Sequence, residues 1–325
     1  MAAAVPGLSG EGRRCVRAAV LGSPIGHSLS PVLHSAAYVA LGLTWWRYEA
    51  IECDESGLAA LLDSCGPDWA GLSLTMPLKR TVLPLLDRIE PLVTEVGGAN
   101  TIVFAAAQRF GYNTDVPGMV RALADHGVGT GAGEQSGAGR GGLPVSGAGR
   151  SGLPASGAGR GGLPVSGAGP ALILGGGATG CAALAALRDL GERSVTVAVR
   201  DPARAVELRR AADRLGVGVN LVPFERADFG GARLLISTVP AGAADALAGQ
   251  LATTMTPPQV VLDVIYHPWP TRLAVAARRA GSMLVGGFDL LLHQAALQVE
   301  LMTGRPAPLA EMRRAGRTEL TRRAG

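Results

Sequence analysis

Aromatic residues make up only 4% of this chain, so aliphatic side chains have to fill its interior; a hydrophobic content of 47% supplies them. Cysteine is scarce too. Cys15, Cys53, Cys65 and Cys181 show no paired spacing, which argues against a disulfide framework and reads as reduced thiols. The first fifteen residues lack a basic stretch followed by an apolar core, so no secretory leader is expected. No apolar run approaches the length that spans a bilayer. The densest basic cluster, Arg313, Arg314, Arg317, Arg322 and Arg323, has no interleaved aromatics on which bases could stack. It reads as a solvated helix end rather than a nucleic-acid tail. A soluble, cytoplasmic protein of two ordinary domains fits the 325 residues and the net charge of +4, with no membrane or nucleic-acid partner and no metal site.

The first hundred residues alternate between strand and helix patterns, which predicts a parallel or mostly parallel sheet. Val16 to Leu21 is an apolar run ending at Gly22. The following loop, Gly22 to Pro31, carries Ser28 and Ser30, and Pro31 suits the first turn of a helix to about Ala40. Ser30 is either an N-cap or, with Ser28, one of two hydroxyls that hold a carboxylate near a helix N-terminus. Thr44 to Ile51 reads as a strand, Glu55 to Leu62 as a helix, and Trp69 to Leu74 as a third strand.

At the end of that strand stand Thr75, Pro77 and Lys79, just before an apolar helical period at Val82, Leu83, Leu85 and Leu86. A lysine at such a strand-to-helix turn is either an ordinary surface lysine or an ammonium pointing into the cleft beyond the strand ends. Ile102 to Ala106 follows as a strand. Asp115 opens a helix over Val116 to Ala124, as a cap or as a functional carboxylate.

Residues 127–169 differ in kind. The decapeptide from Ser136 to Val145 recurs from Ser146 and Ser156, with a truncated copy from Ser166. Glycine, serine and proline dominate, and each unit offers one or two apolar side chains, too few to offset the entropy of ordering. A disordered insertion is expected there.

Ala171 to Leu174 is an apolar strand, followed by Gly175-Gly176-Gly177-Ala178-Thr179-Gly180 and a helix from Cys181 to Leu190. A G-x-G-x-x-G between strand and helix is the context that lets glycines approach a pyrophosphate seated on a helix N-terminus. The next strand, Ser194 to Val199, ends in Arg200, Asp201 and Arg204. Two guanidiniums suit a ribose 2′-phosphate and hence NADP, while Asp201 keeps NAD in view. Further strands are read at Val219 to Val222, Leu234 to Ser237, Val260 to Val264 and Ser282 to Val285, with a final helix from Leu290 to Met302. His293 on that helix reads as exposed, and Gln294 is uninformative alone.

Taken together, these motifs resemble those of the shikimate dehydrogenase family from Ala19 to about Gly304, skipping the repeat. The Gly22–Pro31 loop looks like its Ser-x-Ser-Pro segment, and Ser73-Leu74-Thr75-Met76-Pro77-Leu78-Lys79 like its Asn-Val-Thr-x-Pro-x-Lys segment. Gly98-Ala99-Asn100-Thr101, Asn113-Thr114-Asp115, Asp263-x-x-Tyr266-x-Pro268-x-x-Thr271 and Leu290-Leu291-x-x-Gln294-Ala295 match further blocks. Ser73 stands where asparagine is common, and Asp289-Leu290 where Gly-Met is usual.

The resemblance implies Lys79 and Asp115 as the catalytic pair, and Ser28, Ser30, Thr75, Asn100, Tyr266 and Gln294 at the substrate. It places the cofactor on Gly175, Gly176, Gly177, Ala178, Thr179, Arg200, Arg204, Thr238 and Gly287. It implies an α/β fold, with residues 1–114 and 288–325 forming a substrate domain. Residues 115–287 form a doubly wound Rossmann domain for NADP, and the protein is a monomer or homodimer. The implied reaction is NADPH-dependent reduction of 3-dehydroshikimate to shikimate, a step toward chorismate and the aromatic amino acids. The alternatives are an NAD-dependent quinate/shikimate dehydrogenase and a degenerate relative that senses NADP(H) without turnover.

Overall fold

The chain builds two six-stranded sheets. The structure is a computed structural model that describes residues 15–129, 169–253 and 258–324. The expected insertion lies outside the described residues, apart from 127–129 and 169.

The first sheet grows from β1 (Val16–Gly22), α1 (Ser30–Ala40), β2 (Trp46–Glu52), α2 (Leu58–Ser64) and β3 (Trp69–Leu74). It continues with α3 (Leu78–Thr81), β4 (Arg88–Ile89), α4 (Pro91–Val96), β5 (Thr101–Ala105), β6 (Gln108–Tyr112) and α5 (Asp115–Asp125). Its spatial order is β2-β1-β3-β5-β6-β4. Residues Ala18 to Leu21 of β1 are all buried, because both faces of this central strand are covered. β1 pairs parallel with β2 and β3, but β5 runs antiparallel to β3 and β6.

The sheet is thus mostly parallel, as expected, with one reversal that sequence reading missed. The β5–β6 hairpin turns at Ala106 and Ala107, which take φ of 50° and 58°. Two-residue turns that need positive φ twice are usually marked by Asn-Gly, and this one carries no such mark.

Three local expectations change. Ser30 is not an N-cap: Leu29 holds that position, and the Ser30 N–H donates to Ser28 Oγ at 3.2 Å. The helix near Lys79 does not begin at Val82. It spans Leu78–Thr81 and passes into a 3-10 turn at Leu83–Leu85, because Pro84 cannot donate into a continuing α-helix. Asp115 does not cap α5 either, since Asn113 Oδ1 accepts the N–H groups of Asp115 and Val116.

The second sheet comprises β7 (Ala171–Leu174), α6 (Ala178–Asp189), β8 (Ser194–Val199), α7 (Val206–Leu215), β9 (Gly218–Pro223) and β10 (Leu234–Ser237). α8 (Asp245–Thr253), β11 (Val260–Asp263), α9 (Arg272–Arg279) and β12 (Met283–Gly286) complete it. All its ladders are parallel, in the order β12-β11-β10-β7-β8-β9. The chain reverses direction of winding between β7 and β10, which opens a crevice beyond their C-terminal ends. Gly180 lets α6 lie against the turn that precedes it: a Cβ there would stand 2.3 Å from the Gly175 carbonyl oxygen.

The chain closes with α10 (Gly287–Thr303) and α11 (Leu309–Ala324). α10 leaves the second sheet and packs against α5, α1, β3 and β5. It therefore carries side chains from one sheet's edge into the other's core. The basic residues of α11 are partly tied down: Arg313 bonds Asp125 and Asp289, and Arg323 bonds Glu319 and the His27 carbonyl. Among the described residues no helix is long and apolar enough to cross a membrane.

Candidate active site

Lys79 is the only lysine of the chain; every other residue in the Lys+Arg count of 30 is arginine. That compositional fact alone could have singled it out. The break between β3 and α3 turns its side chain inward, where Nζ donates to Asp115 Oδ2 at 2.6 Å. The two side chains are 15% and 9% exposed, so solvent screens this pair little. Because Asn113 Oδ1 accepts the N–H groups of Asp115 and Val116, neither carboxylate oxygen of Asp115 is spent on capping α5.

Asn100 holds the second oxygen. Its Nδ2 donates to Asp115 Oδ1 at 2.9 Å, and its Oδ1 accepts from the Thr114 N–H at 2.8 Å. Nδ2 also donates to Gln294 Oε1 at 3.1 Å. With its oxygen so engaged, Gln294 presents its NH₂ to the adjoining space.

That space is a cavity of about 250 Å³ between the two sheets. Ser28, Ser30, Thr75, Lys79, Asp115, Tyr266 and Gln294 all line it, together with Thr179 and Gly287. Asn100 sits one layer behind, buried at 1% exposure. The residues come from α1, α3, α5, α6, α10 and the loops after β1, β3 and β11, spread over more than two hundred positions of sequence.

Tyr266, on the loop after β11, lines the same cavity as Ser28. Burial pushes its phenol up, with the Leu29 backbone, Arg323 and Ser28 opposing. It therefore stays a neutral donor beside the serine hydroxyls.

The nucleotide-type turn after β7 is built differently. Gly175 has φ of +102°, which side chains other than glycine's rarely tolerate. Nothing lies within 4 Å of where a Gly177 Cβ would be, so the turn is open on the side that faces the N-terminus of α6. Thr238 Oγ1 donates to the Leu174 carbonyl at 2.8 Å and clasps the turn from β10.

A second cavity, about 360 Å³, is lined by Gly176, Val199, Arg200, Asp201, Arg204 and Ala205. Arg200 and Arg204 are exposed and lack an ion-pair partner among the described residues. Asp201 Oδ1 accepts the Ala203 N–H at 2.9 Å, which ties its carboxylate to a local turn. Open glycine backbone, a helix N-terminus and two unpaired guanidiniums fit a dinucleotide with an added phosphate.

His293, read as exposed, is instead buried at 4% and bonds Asp125 Oδ2 through Nε2 at 2.9 Å. Burial holds its imidazole below the usual range, although Asp125 opposes this. Helical spacing does not reveal the burial, because α10 has apolar partners on several sides. Sequence reading also missed Gln298, one helical turn beyond Gln294 on the same face. That spacing was the available signal. All four cysteines are free thiols. Among the described residues no group of three or more His, Cys, Asp or Glu side chains could hold a metal ion.

Fold and site together define a two-sheet α/β protein of the dinucleotide-dependent oxidoreductase class, with a lysine–carboxylate pair in the cleft. Residues 20–102 match the model of the shikimate dehydrogenase substrate binding domain, and 287–315 that of the shikimate 5′-dehydrogenase C-terminal domain. The chain is 33% identical to a shikimate dehydrogenase (NADP(+)) of Thermus thermophilus, over 94% of this chain and 99% of that one. The crystal structure of Mycobacterium tuberculosis shikimate dehydrogenase is 37% identical and superposes with a TM-score of 0.74, covering 93% of this chain and 99% of that one. A Thermus thermophilus shikimate 5-dehydrogenase solved in complex with NADP(H) and shikimate is 31% identical with a TM-score of 0.70, covering 93% and 99%. The chain belongs to the shikimate dehydrogenase family.

Proposed function

We propose that this protein catalyses the reversible, NADPH-dependent reduction of 3-dehydroshikimate to shikimate, on the way to chorismate and the aromatic amino acids. The observation that carries this is the Lys79–Asp115 pair, 2.6 Å apart on the wall of a polar cavity that also presents Ser28, Ser30 and Tyr266. The likeness to relatives named as NADP(+) enzymes supports it.

Ser28, Ser30 and Tyr266 offer hydroxyl donors to a substrate carboxylate, and Gln294 and Thr75 serve ring hydroxyls, with Asn100 steadying that wall from behind. The carbonyl to be reduced then lies at the Lys79 end. NADPH, when bound, supplies the hydride to the carbonyl carbon. Lys79 Nζ–H gives a proton to the oxygen as negative charge develops there, and Asp115 keeps the ammonium aimed. In the reverse direction the lysine amine accepts the hydroxyl proton.

Gly175, Gly176, Gly177, Ala178 and Thr179 would hold the pyrophosphate against α6, and Arg200 and Arg204 the 2′-phosphate. Thr238 would shape the turn, and Gly287 would leave room near the nicotinamide. The NAD-dependent alternative is weakened because the Asp201 carboxylate is tied to Ala203. A sensor without turnover would not need Lys79 and Asp115 in contact.

In this reading 1–114 with 288–325 is the substrate unit and 115–287 the nucleotide unit, in a cytoplasmic monomer or homodimer. Assaying the protein with shikimate or quinate, against NADP or NAD, tests it. Shikimate with NADP is expected to give the highest kcat/KM. A preference for quinate with NAD would favour the alternative, and no turnover with any pair would favour the sensor. Since the chain has one ε-amine, an amine-reactive reagent should abolish turnover, with shikimate protecting.

A further inference from the structure

A second set of polar side chains, which the reaction above does not use, runs from the outer part of the first sheet to the catalytic pair. Tyr48 OH lies 2.6 Å from Ser73 Oγ, and Ser73 Oγ lies 2.9 Å from Gln298 Oε1. Gln298 Nε2 is 3.0 Å from Thr101 Oγ1, and Thr101 Oγ1 is 2.9 Å from Asn100 Oδ1. Asn100 Nδ2 then reaches Asp115 Oδ1 at 2.9 Å.

The direction of every link follows from the carboxylate end. Ion-paired to Lys79, Asp115 only accepts, so the Asn100 NH₂ faces it and Oδ1 faces Thr101. Thr101 therefore donates its hydroxyl to Asn100 and accepts from the Gln298 NH₂. Gln298 is left to accept from Ser73, and Ser73 to accept from Tyr48. Five donors point one way, from a buried phenol toward the carboxylate that holds Lys79. Hydrogen bonds aligned head to tail in a low-dielectric interior polarise and orient one another.

Tyr48 is suited to begin such a chain. It is 7% exposed, its ring stacks on His34 with centroids 3.9 Å apart, and burial pushes its phenol far above the ordinary value. Ser73 and Gln298 reach the cavity wall, but the Gln298 carboxamide has both ends taken by protein partners. Tyr38 gives the contrast. It lies in the same aromatic cluster, also buried, yet its hydroxyl has no partner among the described residues.

We infer that Tyr48, Ser73, Gln298 and Thr101 are positioning residues for the reduction, orienting Asn100 and through it the Asp115–Lys79 pair. The inference rests on the function proposed above. It assigns to Tyr48, which does not line the cavity, an effect on turnover rather than on binding.

The test compares Tyr48→Phe, Gln298→Met, their combination and the control Tyr38→Phe, each assayed for shikimate oxidation. Tyr48→Phe and Gln298→Met should each lower kcat by about three- to tenfold, as for one lost hydrogen bond. KM for shikimate should stay within about twofold. The double variant should fall no further than the worse single one, because cutting a chain twice breaks it once. Tyr38→Phe should keep wild-type kcat. Thr101→Val cuts the same chain and stands in if Gln298→Met does not fold.

Equal kcat in Tyr48→Phe and Tyr38→Phe would overturn the inference, as would multiplicative losses in the double variant or a change in KM alone. A wild-type protein inactive on shikimate would overturn the proposed function and this inference together. An active wild type with an unimpaired Tyr48→Phe would overturn the inference only.

Discussion

The cavity around Lys79 and the turn after β7 both handle charge, by different means. Around Lys79 the charged and amide groups are held by other side chains: Asp115 by Lys79 and Asn100, and Asn100 by Thr114, Thr101 and Gln294. At the turn, backbone does the work, through Gly175, Gly177 and the first amides of α6, and the guanidiniums of the adjoining cavity, Arg200 and Arg204, stand open to solvent. A network of buried side chains fixes geometry to fractions of an ångström, which proton transfer needs. A glycine turn with exposed arginines tolerates approach from outside, which a diffusible cofactor needs. Damage to the first should therefore appear in kcat, and damage to the second in cofactor KM and selectivity.

The largest expected effect is at Lys79. Lys79→Ala should lower kcat by about two orders of magnitude or more, as for a lost general acid, with a much smaller change in shikimate affinity. Steady-state kinetics check this, and a variant within threefold of wild type would remove Lys79 from the mechanism and erase the contrast between the two sites. Next comes the open site. Arg200→Ala should weaken NADP by roughly 1.5–3 kcal/mol, the value of one charge-assisted contact, while NAD is nearly unaffected. Equal weakening of both cofactors, measured by titration, would make Arg200 structural.

A third prediction uses pH and concerns the buried aromatic cluster around Tyr48 rather than either site. Burial lowers the His34 imidazole to about 3; the Gln298 carboxamide opposes this only in part, and neither ring nitrogen has a hydrogen-bond partner among the described residues. The unfolded chain binds a proton at His34 below its ordinary value of about 6.5, and the folded chain does not until about 3. Stability is therefore present above that ordinary value and falls as pH drops toward 3. Between pH 7 and 5 this group alone should remove about 2 kcal/mol. His34→Phe, which keeps a ring against Tyr48, should flatten that slope in denaturant melts at the two pH values. An unchanged slope would show that His34 does not govern acid lability.

The smallest effect concerns the repeat. Replacing residues 130–168 with a turn of about four residues should leave kcat and KM within about twofold, since the segment offers no core and Glu134 is its only carboxylate. A folded deletion variant without turnover would give the repeat a functional part.

The proposed catalytic pair came into view through the family resemblance, whose motifs sit in short, punctuated segments. Pro77 and the strand end mark Lys79, and the Asn-Thr-Asp run marks Asp115. The nucleotide turn was legible for the same reason, since its glycines, strand and helix are contiguous. The β5–β6 hairpin was not, because Ala106 and Ala107 adopt positive φ without the residues that favour it. The burial of His293 was not, since it depends on α5 and α11 closing over α10. Nor was the tying of Asp201 to Ala203, a matter of which way one carboxylate turns.

Local order along the chain thus determined the two kinds of strand–turn–helix unit, the glycine cradle and the place of Lys79 at a strand-to-helix turn. These depend on neighbours a few residues apart, whose sterics and periodicity are written in the sequence. Only the tertiary structure decided that Lys79 meets Asp115, that Asn100 stands behind rather than on the cavity wall, and that Tyr48 is linked to both through Ser73 and Gln298. Those contacts join residues 15 to 225 positions apart, and they exist because packing α10 across two sheets brings polar groups together that must then satisfy one another away from water.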